Sequence, residues 1–109
     1  EAGLPYLPGV ATASEVQRAR RLGLTTLKFF PAEPAGGSAA LRAFAGPFPE
    51  LRFCPTGGID QSNAAEYLAL DNVVCVGGSW PAPTELLAAG DWQAIEDRAR
   101  QAAALGAHR

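Results

Sequence analysis

Apolar residues in this chain fall into short, nearly continuous runs separated by stretches in which they return every three or four positions, the signatures of strand and helix. The first run is residues 4–11 (LPYLPGVA). Thr12 and Glu15 then fit a capping box, a threonine N-cap with a glutamate three residues on. The helix they open carries Val16, Ala19 and Leu22 on one face and stops at Gly23. Residues 25–32 (TTLKFFPA) predict a second strand; beyond a Pro/Gly loop, Ser38 is expected to cap a helix with Leu41, Phe44 and Ala45 that ends at Gly46-Pro47. Residues 51–57 (LRFCPTG) predict a third strand, and Asp60 the cap of a helix bearing Ala64, Tyr67 and Leu68. Residues 72–79 (NVVCVGGS) predict a fourth strand. A short helix from Thr84 to Gly90 follows, then a longer one from Asp91 striped by Trp92, Ile95, Ala99 and Ala102.

The strand starts recur at intervals of roughly 20 to 27 residues, the period of a βα unit, because neighbouring parallel strands need a right-handed crossover between them. Strands this uniformly apolar are expected to be covered on both faces. Half of a (β/α)₈ barrel and a small doubly wound sheet both fit. Glycine placement favours the barrel: Gly57-Gly58 and Gly77-Gly78 end the third and fourth runs, where the last two strands of such barrels commonly build a phosphate site. The expected fold is therefore an α/β, (β/α)₈ TIM barrel. Residues 1–109 would be the C-terminal half of its single domain (four βα units, strands 5–8), with the N-terminal half absent.

Composition narrows the field. The chain has 109 residues, 48% hydrophobic, with a net charge of -2. Its arginines are scattered along helices, which leaves no footprint for nucleic acid. No apolar run approaches the ~18 residues of a membrane span, and no signal peptide is visible. Cys54 and Cys75 lie in apolar runs, so two buried thiols in a reducing, cytoplasmic setting are expected rather than a disulfide. His108 is the one histidine, too few for a zinc-type ligand set. The chain contains no methionine and opens on Glu1, which leads us to expect a piece of something longer.

Lys28 is the one lysine beside eight arginines, and it stands between Leu27 and Phe29. Alternation puts Lys28 and Phe30 on one face and Leu27 and Phe29 on the other. If the latter pair meets the helices, Lys28 points into the barrel, where desolvation disfavours the ammonium and leaves some neutral amine. Such an amine attacks a ketone to form a Schiff base, an electron sink that arginine cannot supply. A structural lysine, paired with a carboxylate or at a strand end, fits the same position.

The stretches Thr56-Gly57-Gly58-Ile59-Asp60 and Val76-Gly77-Gly78-Ser79 could each bring free backbone N–H groups up to an anion, although either glycine pair alone could be a tight turn. Glu33, the carboxylate nearest Lys28 in sequence, is a general base or a loop carboxylate. Arg52 would sit at the barrel floor as a structural residue.

The runs PGVATASE (8–15), LKFFPAE (27–33), AGPFPELRFCPTGGI (45–59) and VGGSW (76–80) resemble, in this order, the 2-keto-3-deoxy-6-phosphogluconate (KDPG) and 4-hydroxy-2-oxoglutarate aldolases. The resemblance covers essentially the whole chain. It implies a class I, metal-free and cofactor-free aldolase on a (β/α)₈ barrel, usually a homotrimer, acting on a small phosphorylated keto acid with no nucleic-acid or membrane partner. Lys28 matches the Schiff-base lysine, Phe30 an aromatic beside the imine, and Thr56 a hydroxyl near bound substrate. Gly57, Gly58, Gly78 and Ser79 match phosphate-binding positions, and Pro8 falls in a turn bordering the site. The family's acid/base glutamate, and the arginine and threonine that bind the substrate carboxylate, belong to a first half that this sequence does not contain. Glu33 matches a different position. A non-catalytic assembly module with vestigial aldolase residues is the rival expectation.

Overall fold

In the computed structural model, which describes residues 3–106, a threonine opens the first helix as its sequence requires. The Thr12 side chain accepts from the Glu15 N–H and the Glu15 carboxylate accepts from the Thr12 N–H, a complete capping box. The elements run β1 (Gly9–Val10), α1 (Ala13–Arg21), β2 (Thr26–Phe29), α2 (Gly37–Phe44), β3 (Arg52–Pro55), α3 (Ala64–Leu68), α4 (Thr84–Ala89) and α5 (Trp92–Ala104). The strands form one parallel sheet in the order β1-β2-β3, with Lys28 paired to Gly9 on one side and to Cys54 on the other.

The core lies on one face of that sheet. Leu27, Phe29 and Phe53 are fully buried there with Val16, Leu41 and Tyr67 from α1, α2 and α3. Phe44 of α2 joins the layers, its ring centroid 6.0 Å from that of Phe29 and 5.8 Å from that of Phe53. Burying side chains of this size is worth roughly 1.5–3 kcal/mol each, which explains why β2 and β3 keep their ladder. On the other face Thr26 and Arg52 are exposed and Lys28 and Cys54 half-buried.

This corrects the expected barrel. The fold is an open, three-stranded parallel sheet with helices, not four strands of a (β/α)₈ barrel covered on both faces. Residues 72–79 do not form the fourth strand; they touch β3 through the isolated bridge Phe53–Val73 and reach the sheet end through Thr56–Gly77. Between those points Val74 and Cys75 are exposed. A strand buried on both faces needs cover on both, and here only the helix side provides it. Cys75 is therefore not the buried thiol expected, and Cys54 is only half-buried.

Other local expectations shift too. Leu22 is 74% exposed rather than part of the α1 face. Ser38 does not cap α2: Gly36, in the left-handed region, does, and the Ser38 hydroxyl donates to Glu66 Oε1 at 2.6 Å. Asp60 precedes an Asn63 cap, and the stripe on α5 holds no buried residue. Arg52 Nη1 donates to the carbonyls of Pro49 and Leu51. Glu1 and His108 lie outside the described residues. No helix among them is long and apolar enough to cross a membrane, and no group of three His, Cys, Asp or Glu could hold a metal.

Candidate active site

Strand alternation sets the direction of Lys28. Leu27 and Phe29 enter the core, so Lys28 projects from the uncovered face, half-buried rather than sealed inside a closed barrel. Its N–H donates to the Pro8 carbonyl at 2.8 Å. Its Nζ lies over the Phe30 ring, 4.8 Å from the centroid, and that ring is half-exposed.

Phe30, Thr56, Gly57, Gly58, Gly78 and Ser79 line one pocket of about 580 Å³ beyond the carboxyl ends of β2 and β3. Ile59, Asp60 and Trp80 complete its wall. Six of the eight predicted site residues thus meet at one place. Lys28 adjoins it through Phe30, whereas Pro8 is buried, does not line the pocket and accepts a hydrogen bond from the Lys28 N–H.

Each glycine pair has its own reason to be there. Gly57 and Gly58 have φ of 107° and 76°, and a Cβ on Gly58 would come within 2.8 Å of Glu33 Cβ. Gly77 and Gly78 answer to side chains instead. A Cβ on Gly77 would meet Thr56 Oγ1 at 2.6 Å, and one on Gly78 would meet Cε3 and Cζ3 of Trp80 at 2.4 Å. Among the described residues, the N–H groups of Gly57, Gly58, Gly78 and Ser79 find no acceptor within the chain. Unpaired N–H groups around a pocket suit an anion.

Of the lining residues Asp60 alone is ionised. The Ser62 hydroxyl and N–H hold its carboxyl below the usual carboxylate range. Glu33 is engaged elsewhere: its Oε2 accepts from the Tyr67 hydroxyl, and burial, followed by that bond, pushes the Tyr67 phenol well up. Glu33 therefore serves as a loop carboxylate that ties residues 31–36 to α3. Sequence reasoning did not single out Trp80, Ile59 or Asp60 as pocket walls; the available signal was that Ile59 directly follows one glycine pair and that Asp60 and Trp80 stand one residue further on.

The site thus sets an amine on the open face of a parallel α/β sheet beside a pocket whose free N–H groups suit an anion. A family model described as "Aldolase: KDPG and KHG aldolase" matches residues 1–98. The chain belongs to that aldolase family, whose members are lyases. It is 54% identical over 99 residues to a 2-dehydro-3-deoxy-phosphogluconate aldolase of Pseudomonas aeruginosa, covering 91% of this chain and 45% of that protein. It is 51% identical over 102 residues to the KHG/KDPG aldolase of Escherichia coli K12, covering 94% and 48%. Among solved structures, a KDPG aldolase from Legionella pneumophila, with pyruvate captured as a covalent carbinolamine intermediate, superposes with a TM-score of 0.87 at 46% identity, covering 89% of this chain and 47% of that one. The chain spans under half the length of the curated relatives it matches.

Proposed function

We propose that this chain carries the imine-forming lysine and the phosphate pocket of a class I aldolase that cleaves 2-dehydro-3-deoxy-6-phosphogluconate to pyruvate and glyceraldehyde 3-phosphate. The observation that carries this reading is the Lys28 amine on the Phe30 ring, at the rim of a pocket edged by four unpaired N–H groups. The pyruvate carbinolamine described for the Legionella relative supports the same chemistry here.

Lys28 adds to the C2 carbonyl to give a carbinolamine, which loses water to become a protonated imine. The C4 hydroxyl gives up its proton, the C3–C4 pair flows into the imine, and glyceraldehyde 3-phosphate departs. Protonation of the enamine at C3 and hydrolysis release pyruvate and restore the amine. Pro8 fixes the Lys28 backbone, Phe30 backs the imine, and Thr56 faces the substrate. Gly57, Gly58, Gly78 and Ser79 receive the phosphate. Proton transfer by a positioned group typically contributes ~10² to 10⁴-fold. Asp60 and Glu33 are both committed to other partners, so this reading assigns the shuttle to a carboxylate outside these residues. The reading also includes a cytoplasmic homotrimer, checked by native mass in solution.

The test is borohydride reduction in the presence of pyruvate, followed by peptide mass spectrometry. An adduct on Lys28, lost in Lys28→Arg, is expected; an adduct confined to the N-terminal amine would sink the assignment. The Asp60 charge in the pocket favours a second reading, preference for unphosphorylated 4-hydroxy-2-oxoglutarate. Comparing kcat/KM for the two substrates separates them.

A further inference from the structure

The pocket wall from Gly78 to Trp80 is not held by a strand. Its link to the sheet is the single bridge at Gly77, whose N–H donates to the Pro55 carbonyl at 2.9 Å. Yet this wall presents two of the free N–H groups. Besides the packing of Trp80 against the core, two contacts bear on it. The Trp80 indole lies so close on Gly78 that no Cβ fits between them. At its other end, the Trp80 carbonyl accepts from Arg98 Nη1 at 3.0 Å, a reach of eighteen residues from the middle of α5.

Arg98 also differs from the arginine next along the helix. Arg100 is paired with Glu96 and Asp97, whereas Arg98 makes no ion pair among the described residues. Arg98 therefore brings an exposed charge with no ion pair among the described residues to the wall of a pocket whose lining holds a carboxylate, Asp60, and no cation.

We propose that Arg98 is the positioning residue of the anion pocket: its grip on the Trp80 carbonyl fixes the Gly78–Trp80 wall, and its charge, which makes no ion pair among the described residues, biases that wall toward a phosphorylated ligand. This rests on the phosphate-pocket reading above. The guanidinium touches backbone rather than ligand, so it acts through the wall. A charge-assisted hydrogen bond makes such a grip stronger than a neutral one.

The test compares the parent chain with Arg98→Ala and Arg98→Lys, using inorganic phosphate as the probe in an NMR titration and borohydride trapping of pyruvate on Lys28 as the second readout. Arg98→Ala should weaken phosphate binding about three- to tenfold and leave pyruvate trapping at the parental rate. Arg98→Lys should recover part of the loss, because it keeps the charge but not the planar fork. If the parent binds phosphate and Arg98→Ala binds it equally well, the role of Arg98 is overturned while the pocket reading stands. If Arg98→Ala loses trapping and phosphate together, the residue merely supports the fold and the proposal fails. If the parent traps pyruvate but binds no phosphate, the pocket reading fails and takes the proposal with it.

Discussion

Lys28 and Phe30 leave the sheet on the same side, with the lysine Nζ 4.8 Å from the centre of the phenylalanine ring. The ring face attracts a cation, by roughly 0.5–1 kcal/mol at a site this exposed. The attacking amine and the carbinolamine are neutral, so the ring face favours the step in which positive charge returns with the protonated imine. Phe30→Leu keeps apolar bulk and removes the ring face. Borohydride trapping with pyruvate should then slow by about two- to fivefold, measured as the rate of adduct formation on Lys28. An unchanged rate would mean that the ring only fills space.

Gly78 and Gly58 should both resist alanine, for different reasons. At Gly78 the new methyl would collide with the Trp80 ring and with the Ile59 carbonyl, 2.9 Å away. The ring must leave, at a cost of about 1–3 kcal/mol. At Gly58 the strain comes from a φ of 76° together with the Glu33 side chain, again about 1–3 kcal/mol. Urea unfolding midpoints should fall for both variants. Gly46→Ala serves as the reference, since its new methyl would meet nothing nearer than 3.9 Å.

The Tyr67 hydroxyl ties α3 to Glu33, and this bond predicts a dependence on alkaline pH. Burial and the Glu33 carboxylate raise the phenol above its ordinary value of 10.0. A raised folded-state value contributes stability that is complete below the unfolded value and is lost as pH climbs toward the folded one. The parent should therefore lose urea resistance above pH of about 10, and Tyr67→Phe should lose less over that window while being weaker at neutral pH. Parallel curves for the two proteins would remove Tyr67 as the cause.

How much of this could be read in advance depends on whether the signal was local. The Thr12–Glu15 box, the Leu27/Phe29 alternation and the Asp91 start of α5 are set by neighbours within a turn, and each stands as the residue pattern implied. Residues 72–79 look like a strand because Val73, Val74 and Val76 are apolar and β-branched, but pairing depends on cover that sequence pattern does not encode. Val73 accordingly stays buried while Val74 is exposed, its N–H still donating to the Phe53 carbonyl at 3.0 Å although no continuous strand follows. The gathering of Phe30, Thr56, Gly57 and Gly58 was legible because the carboxyl ends of β2 and β3 share an edge, and Gly78 joins them through the neighbouring Thr56–Gly77 bridge. The Trp80 wall and its Arg98 tie were not, since a contact spanning eighteen residues leaves no periodic trace.

Asp60 supplies the sharpest electrostatic test of the pocket. Its Oδ1 accepts from the Ser62 N–H at 2.8 Å and from the Ser62 hydroxyl at 2.5 Å. Those bonds lower its pKa, so it stays ionised at neutral pH and repels any phosphate that enters. Asp60→Asn keeps an acceptor for Ser62 and deletes the charge. Because the side chain is exposed, screening limits the gain, and inorganic phosphate should bind about two- to fivefold more tightly. The difference should shrink as ionic strength is raised. A gain that ignores salt would point to a change of shape rather than of charge, and weaker binding would mean that the Asp60 carboxylate, rather than the free N–H groups, organises the pocket.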